Sequence, residues 1–278
     1  MAVEIGRNNS LSVLRETSVG LFLDGDTLGD ILLPNRYVTE EMVVGEEVDV
    51  FVYLDSEDRL VATTEKPYAQ TGEFAFLEVI AVSRFGAFLD WGLMKDLLVP
   101  FREQAEKMER GRSYLVYLYL DDESKRIVAS SKISRYLDNV SPPYSIGEKV
   151  DLIIAGKTEL GYKAVINNSH SGILYFNQVF KELKIGDRLP GYINKIREDD
   201  KIDLLLEKPG YEKIDYISEL ILEKLNSSDG FLPLNDKSSP EEIQSILSIS
   251  KKNFKKSLGA LYKRRIVEIK ENGIYLYR

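Results

Sequence analysis

Ser83–Pro100 reads SRFGAFLDWGLMKDLLVP, and the organisation of most of the chain can be worked out from it. Phe85 and Phe88 flank a Gly-Ala pair, and an apolar run, LLVP at Leu97–Pro100, follows. The same arrangement occurs 66 residues earlier, as VGLFLD at Val19–Asp24 with ILLP at Ile31–Pro34. It recurs 75 residues later, as LGYKAV at Leu160–Val165 with GILY at Gly172–Tyr175. Each copy continues into a Gly that opens a long alternating strand: GEEVDVFVYL from Gly45, GRSYLVYLYL from Gly111 and GDRLPGYINKI from Gly186. A charged turn closes each of these strands, and a short apolar strand follows: LVAT, RIVAS and IDLLL. A fixed internal period is the mark of repeated structural units.

Each unit therefore holds about five strands. Val48, Val50 and Val52 alternate with the period of two expected of a half-buried strand. Five short strands with a Gly at the corner fit a small closed barrel of OB type. Closure removes the unpaired edges that so short an open sheet would expose. Tyr117 and Tyr119 share one face of their strand and Tyr114 takes the other, so one of these sets is expected outside. Trp91 is expected to pack at a strand end. Asp24, Asp26 and Asp30 read as a polar loop, because the bidentate Glu of a calcium loop is missing.

Beyond Pro209–Gly210 the apolar period changes from two to 3.6. Ile214, Ile217, Leu220, Ile221 and Leu225 form the stripe of a first helix, and a short strand is expected over Phe231–Leu234. A second helix starts with Ser239 as cap, Pro240 at its first position and Glu242 completing a capping box. The third starts at Ser250, with Ile249 and Phe254 spaced as a hydrophobic staple. Phe254, Leu258 and Leu261 form its buried stripe. Lys252, Lys256, Gly259 and Lys263 lie opposite, with Lys251, Lys255, Arg264 and Arg265 at the flanks or the end. Ser250–Arg265 carries seven basic residues and no acid, whereas solvated helices commonly mix signs. Strands at Ile266–Ile269 and Gly273–Tyr277 close the chain as a hairpin. This order is that of a winged helix-turn-helix domain. Gly259 costs about 1 kcal/mol in a helix interior. A close backbone approach by nucleic acid or by a neighbouring element would account for it.

The expected fold class is multidomain and mainly β: three tandem OB-fold (S1-like) β-barrels over 1–66, 72–135 and 146–208, then an α+β winged-helix domain over 211–278. The linkers near Pro67, Pro142–Pro143 and Pro209 are short and contain Pro, so a semi-rigid arrangement is expected.

Composition limits the function. The 278 residues contain no Cys and a single His, which excludes disulfides and thiolate metal sites and leaves little for His-based catalysis. There is no Walker-type loop, GxSxG or HExxH motif, so no catalytic residue, metal or cofactor is assigned. His170, in NNSHSG, is expected to be a solvated loop residue. No run of about 18 apolar residues suggests a membrane helix, and Met1–Ser10 lacks a signal-peptide core, so a cytoplasmic protein with no membrane partner is expected. The net charge of −8 is unevenly spread. Residues 1–71 carry a net −9, residues 72–135 zero, residues 136–209 −1 and residues 210–278 +2.

The second unit resembles the RNA-binding barrel named after ribosomal protein S1, through SRFGAFLDWG, DLLVP and SSK at Ser130–Lys132. That resemblance implies that Phe85 and Phe88 face outward as stacking platforms. Bases stack on such rings for about 1–3 kcal/mol each. Gly86 would permit the strand bend between them, and Arg84, Lys95 and Arg102 are near enough to supply phosphate contacts. The unit departs from the pattern in having Pro100 where the family usually has His. The first unit keeps only Phe22, with Val19 at the other position. The third has Leu160 and Lys163 there, with Tyr162, Tyr175 and Phe176 nearby. The second unit is thus the leading RNA site, the third a weaker one, and the first a structural or partner-facing module.

The whole-chain order resembles the bacterial conserved virulence factor B family, through VGLFLDGDTLGDILLPNRYV, FGAFLDWGLMKDLLVP and SKKNFKKSLGALYKRR. Membership implies RNA binding and a part in regulating gene expression, virulence genes included. The RNA-binding residues expected are Phe85, Phe88, Arg84, Lys95, Arg102, Phe22, Tyr162 and Tyr175. Those of the winged helix are Lys251, Lys252, Lys255, Lys256, Lys263 and Arg264, with DNA or structured RNA as partner. The alternative is a non-catalytic scaffold docking ribosome or RNA polymerase components.

Overall fold

A computed structural model describes residues 2–179, 181–207 and 216–277. The chain forms two compact units, residues 1–209 and 210–278. Ile214, Pro209 and Gly210, which entered the expected helix stripe and linker, lie outside the described residues.

The first unit holds three five-stranded closed barrels. The first is built from β1 (Asn8–Thr17), β2 (Gly20–Asp24), β3 (Asp30–Pro34), β4 (Glu47–Leu54) and β5 (Leu60–Thr63). The second uses β6 (Phe74–Val82), β7 (Gly86–Leu89), β8 (Leu97–Pro100), β9 (Ser113–Leu120) and β10 (Ile127–Ser130). The third uses β11 (Lys149–Lys157), β12 (Gly161–Ile166), β13 (His170–Tyr175), β14 (Arg188–Ile196) and β15 (Ile202–Leu205). In each, the first strand pairs with both the second and the fourth, and the third and fifth run parallel. The first strand also shifts register at the same place each time: between Val13 and Arg15, Val79 and Ala81, and Ile154 and Gly156. Such a bulge sharpens the local twist, which a small barrel needs to close. The sequence repeat is thus a repeat of barrels.

The glycine that opens the second strand is required by a close approach of two backbones. A Cβ on Gly86 would lie 2.2 Å from the carbonyl oxygen of Val99, and one on Gly20 or Gly161 would lie 2.1 Å from that of Leu33 or Leu174. The backbones of the second and third strands approach too closely there for any side chain.

Alternation is strict only where one face of a strand meets water. Along β4, Val48, Val50 and Val52 point into the first barrel, yet Phe51 and Tyr53 on the other face are also buried. They pack with Trp91 and the core of the second barrel, and Phe51 meets Trp91 edge-on at 5.7 Å. On β9, Leu115 and Tyr117 likewise turn outward onto Phe74, Ile153 and Val165 at the boundary with the third barrel. The three tyrosines of β9 are all half-buried, so neither set is exposed; Tyr136 stacks on Tyr117 at 4.1 Å and covers the outward pair. Shared buried residues make the three barrels one body, consistent with the short linkers between them.

His170 departs from the expected solvated turn. It opens β13, is half-buried, and its Nδ1 lies 2.9 Å from the Tyr144 hydroxyl. Burial holds its pKa below the usual imidazole value.

The second unit runs α1 (Tyr216–Ser227), β16 (Phe231–Leu232), α2 (Pro240–Leu247), α3 (Lys251–Lys263), β17 (Val267–Lys270) and β18 (Gly273–Leu276). Its three strands form one sheet with β18 in the middle. The capping box is complete: Ser239 Oγ accepts from the Glu242 amide at 3.1 Å, and the Ser239 amide donates to Glu242 Oε2 at 2.7 Å. Ser250 caps α3 by accepting from the Asn253 amide. Phe254, Leu258 and Leu261 enter a core with Ile221, Leu225, Ile243 and Leu247. This is the winged helix-turn-helix arrangement that the period change indicated. No helix among the described residues is long and apolar enough to cross a membrane.

Candidate nucleic-acid interface

The β6–β7 hairpin presents Phe85. The Ser83 amide donates to the Gly86 carbonyl, and Ser83 Oγ accepts from the Phe85 amide at 3.1 Å, fixing a tight turn with Phe85 at its tip. Phe85 is 59 % exposed. Along β7, Ala87 and Leu89 point into the barrel and Phe88 points out, half-buried beside its strand partner Leu98. Both rings line one cleft of about 310 Å³ against Tyr53 and Leu54 of the first barrel. The Arg84 guanidinium sits 4.8 Å from the Phe85 ring centre, at cation–π range.

The cations around this cleft divide by what they already hold. Arg84 is exposed and makes no ion pair among the described residues. Lys95 lines the cleft, but its ammonium donates to the carbonyls of Leu54 and Asp55, both at 2.7 Å. Burial, with Arg126 nearby, pushes its pKa below the usual lysine range. Lys95 thus fastens the first barrel to the second. Arg102 is exposed and reaches Asp121 at 3.3 Å. Arg126, which proximity to the motif did not single out, also lines the cleft and pairs with Asp58 of the first barrel. The parallel pairing of β10 with β8 brings it there.

The other barrels offer less. Val19 and Leu160 stand at the hairpin tips equivalent to Phe85, 55 % and 65 % exposed, but neither has a ring for a base to stack on. Phe22 is half-buried beneath the Arg15 guanidinium, which pairs with Asp30. It lines a second cleft of about 590 Å³ with Leu54, Asp58 and Lys125. In the third barrel Tyr162 is 7 % exposed, inside the core and edge-on to Phe176, so its faces are closed to a base. Tyr175 is half-buried, and its hydroxyl is engaged by Asp203 and Arg197.

On α3, Lys252, Lys255, Lys256 and Lys263 are exposed, while Lys251 and Arg264 are half-buried. None of the six makes an ion pair among the described residues.

Known families match at the places where this geometry lies. The family described as S1 domain matches residues 5–65 and 71–132, and the family described as CvfB-like winged helix domain matches residues 219–276. The first two barrels and the second unit are therefore domains of nucleic-acid-binding types. Among curated relatives, "Uncharacterized protein YitL" of Bacillus subtilis is 30 % identical, covering 96 % of this chain and 92 % of its own. "Conserved virulence factor B" of Staphylococcus saprophyticus is 26 % identical over 85 % and 82 % of the two chains. The chain belongs to the conserved virulence factor B family. A solved multidomain protein with nucleic acid binding domains from Streptococcus pneumoniae aligns over 98 % of both chains at 24 % identity, with a TM-score of 0.42.

Proposed function

We propose that the protein binds single-stranded RNA on the outer face of its second barrel and structured nucleic acid through α3. In this reading it acts as a post-transcriptional or transcriptional regulator, reaching virulence genes as the name of its relatives suggests. One observation carries the reading: a phenylalanine stands more than half exposed at a hairpin tip, beside a second outward ring and an arginine with no ion pair among the described residues. Large aromatics are normally buried. Two such rings lining one cleft offer stacking faces, and stacking accepts any base. Phe85, Phe88 and Arg84 form the core of the site. Arg102, Phe22 and Tyr175 are subsidiary contacts that an RNA would have to take from their present partners. Lys95 supports the site from behind.

The test is affinity for a single-stranded and a hairpin RNA at several salt concentrations. Counterion release requires a steep fall with salt. Phe85→Ala with Phe88→Ala should weaken chiefly the single strand, and Lys252→Glu with Lys256→Glu chiefly the hairpin. A wild type that binds no RNA or DNA at low salt would point instead to a scaffold that docks protein.

A further inference from the structure

Gly259 lies in the interior of α3, where a glycine loses more chain entropy on folding than any other residue. Two internal reasons normally keep one there: a neighbouring element that leaves no room for a Cβ, or a backbone angle that other residues avoid. Neither holds. A Cβ built on Gly259 meets nothing within 4 Å among the described residues, and its φ is not in the left-handed region. The space beside it is open, and what surrounds that space is positive. Lys252, Lys255, Lys256 and Lys263 stand at i−7, i−4, i−3 and i+4, which on a helix are the positions bordering Gly259's own. All four are exposed and none has an acidic partner among the described residues.

We propose that Gly259 is a binding residue: a notch in the lysine face of α3 into which a phosphodiester of structured RNA settles against the helix backbone. The lysines attract the phosphate and the missing side chain lets it approach. A Cβ would hold it away by about the thickness of a methyl group and pull it out of reach of two or more ammonium groups at once. The proposal rests on the nucleic-acid reading of α3 given above.

The experiment uses the full chain and compares Gly259→Ala with Lys252→Glu/Lys256→Glu against a duplex RNA hairpin and a duplex DNA of equal length. Helical circular dichroism follows unfolding of the second unit, which holds the three α-helices of the described residues. Gly259→Ala should raise the midpoint of that transition, because Ala is the better helix former, and yet weaken hairpin binding by about five-fold or more, as overpacking a contact does. Binding that is unchanged or tighter in a stabilised Gly259→Ala protein overturns the notch while leaving the basic face standing, provided the lysine variant still loses affinity. A lysine variant that binds like the wild type removes the basic face and the notch together. Equal losses on DNA would assign the notch to phosphodiesters generally; a loss confined to RNA would assign it to the A-form backbone.

Discussion

Asp58, in the β4–β5 turn of the first barrel, accepts a hydrogen bond at 2.8 Å from Nε of Arg126 in the second. This pair stands where the two aromatic clefts meet: Asp58 lines the one holding Phe22, Arg126 the one holding Phe88, and Leu54 belongs to both. An RNA phosphate reaching Arg126 must compete with that carboxylate. Both side chains are about half exposed, so the pair is worth only about 0.2–1 kcal/mol. Asp58→Asn should therefore tighten single-stranded RNA binding about two- to five-fold. Asn also accepts the positive φ of that position, so the turn survives. Arg126→Gln should weaken binding and abolish the gain in the double variant. Fluorescence anisotropy decides, and a weaker Asp58→Asn protein would show that Arg126 takes no part.

Two neighbouring aromatics should part company when truncated. Phe85 is exposed, so Phe85→Ala should leave stability within about 0.5 kcal/mol while costing affinity. Trp91, 2 % exposed and wedged against Phe51, should cost about 3–5 kcal/mol as Trp91→Ala. Urea unfolding of both, beside RNA titrations, separates the site from the joint between barrels. A large stability loss in Phe85→Ala would mean that the ring is packed rather than presented.

Gly86 should not tolerate even a methyl group. A Cβ 2.2 Å from the Val99 carbonyl cannot be accommodated without separating β7 from β8. Gly86→Ala should lower stability by about 2 kcal/mol or more, and Gly20→Ala and Gly161→Ala should behave alike. A neutral Gly86→Ala by thermal unfolding would refute the close-approach account.

Acid should weaken the third barrel through His170. Burial lowers its folded pKa below 6.5, so the unfolded chain takes up the proton first as pH falls. The stability held by the neutral imidazole is complete above 6.5 and drains away as pH drops toward the folded value. Between about pH 7.5 and about pH 5.5, the wild type should lose more stability than His170→Gln. Equal losses would mean the ring titrates as it does in the unfolded chain.

The repeat made the fold readable, because a recurrence at 66 and 75 residues survives changes in individual strands. The caps of α2 and α3 were equally plain, since Ser239, Glu242 and Ser250 act on their own local backbone. What the sequence hid belongs to the boundaries between barrels. Phe51 and Tyr53 sit on the outward face of β4, and only the neighbouring barrel buries them. Lys95 was chosen by nearness to the motif, but the first barrel's carbonyls claim it. Arg126, far off in sequence, reaches the cleft through a parallel pairing. Tyr162 had a usable signal: it shares strand parity with Ala164 and Ile166, both core residues, and so turns inward with them.

The most direct measurement is to crosslink a single-stranded RNA to the full-length protein with ultraviolet light and map the modified residues by mass spectrometry. Adducts are expected at Phe85 and Phe88 of the second barrel and should disappear at high salt. Adducts confined to the first or third barrel, with none on β7 or the hairpin before it, would contradict it.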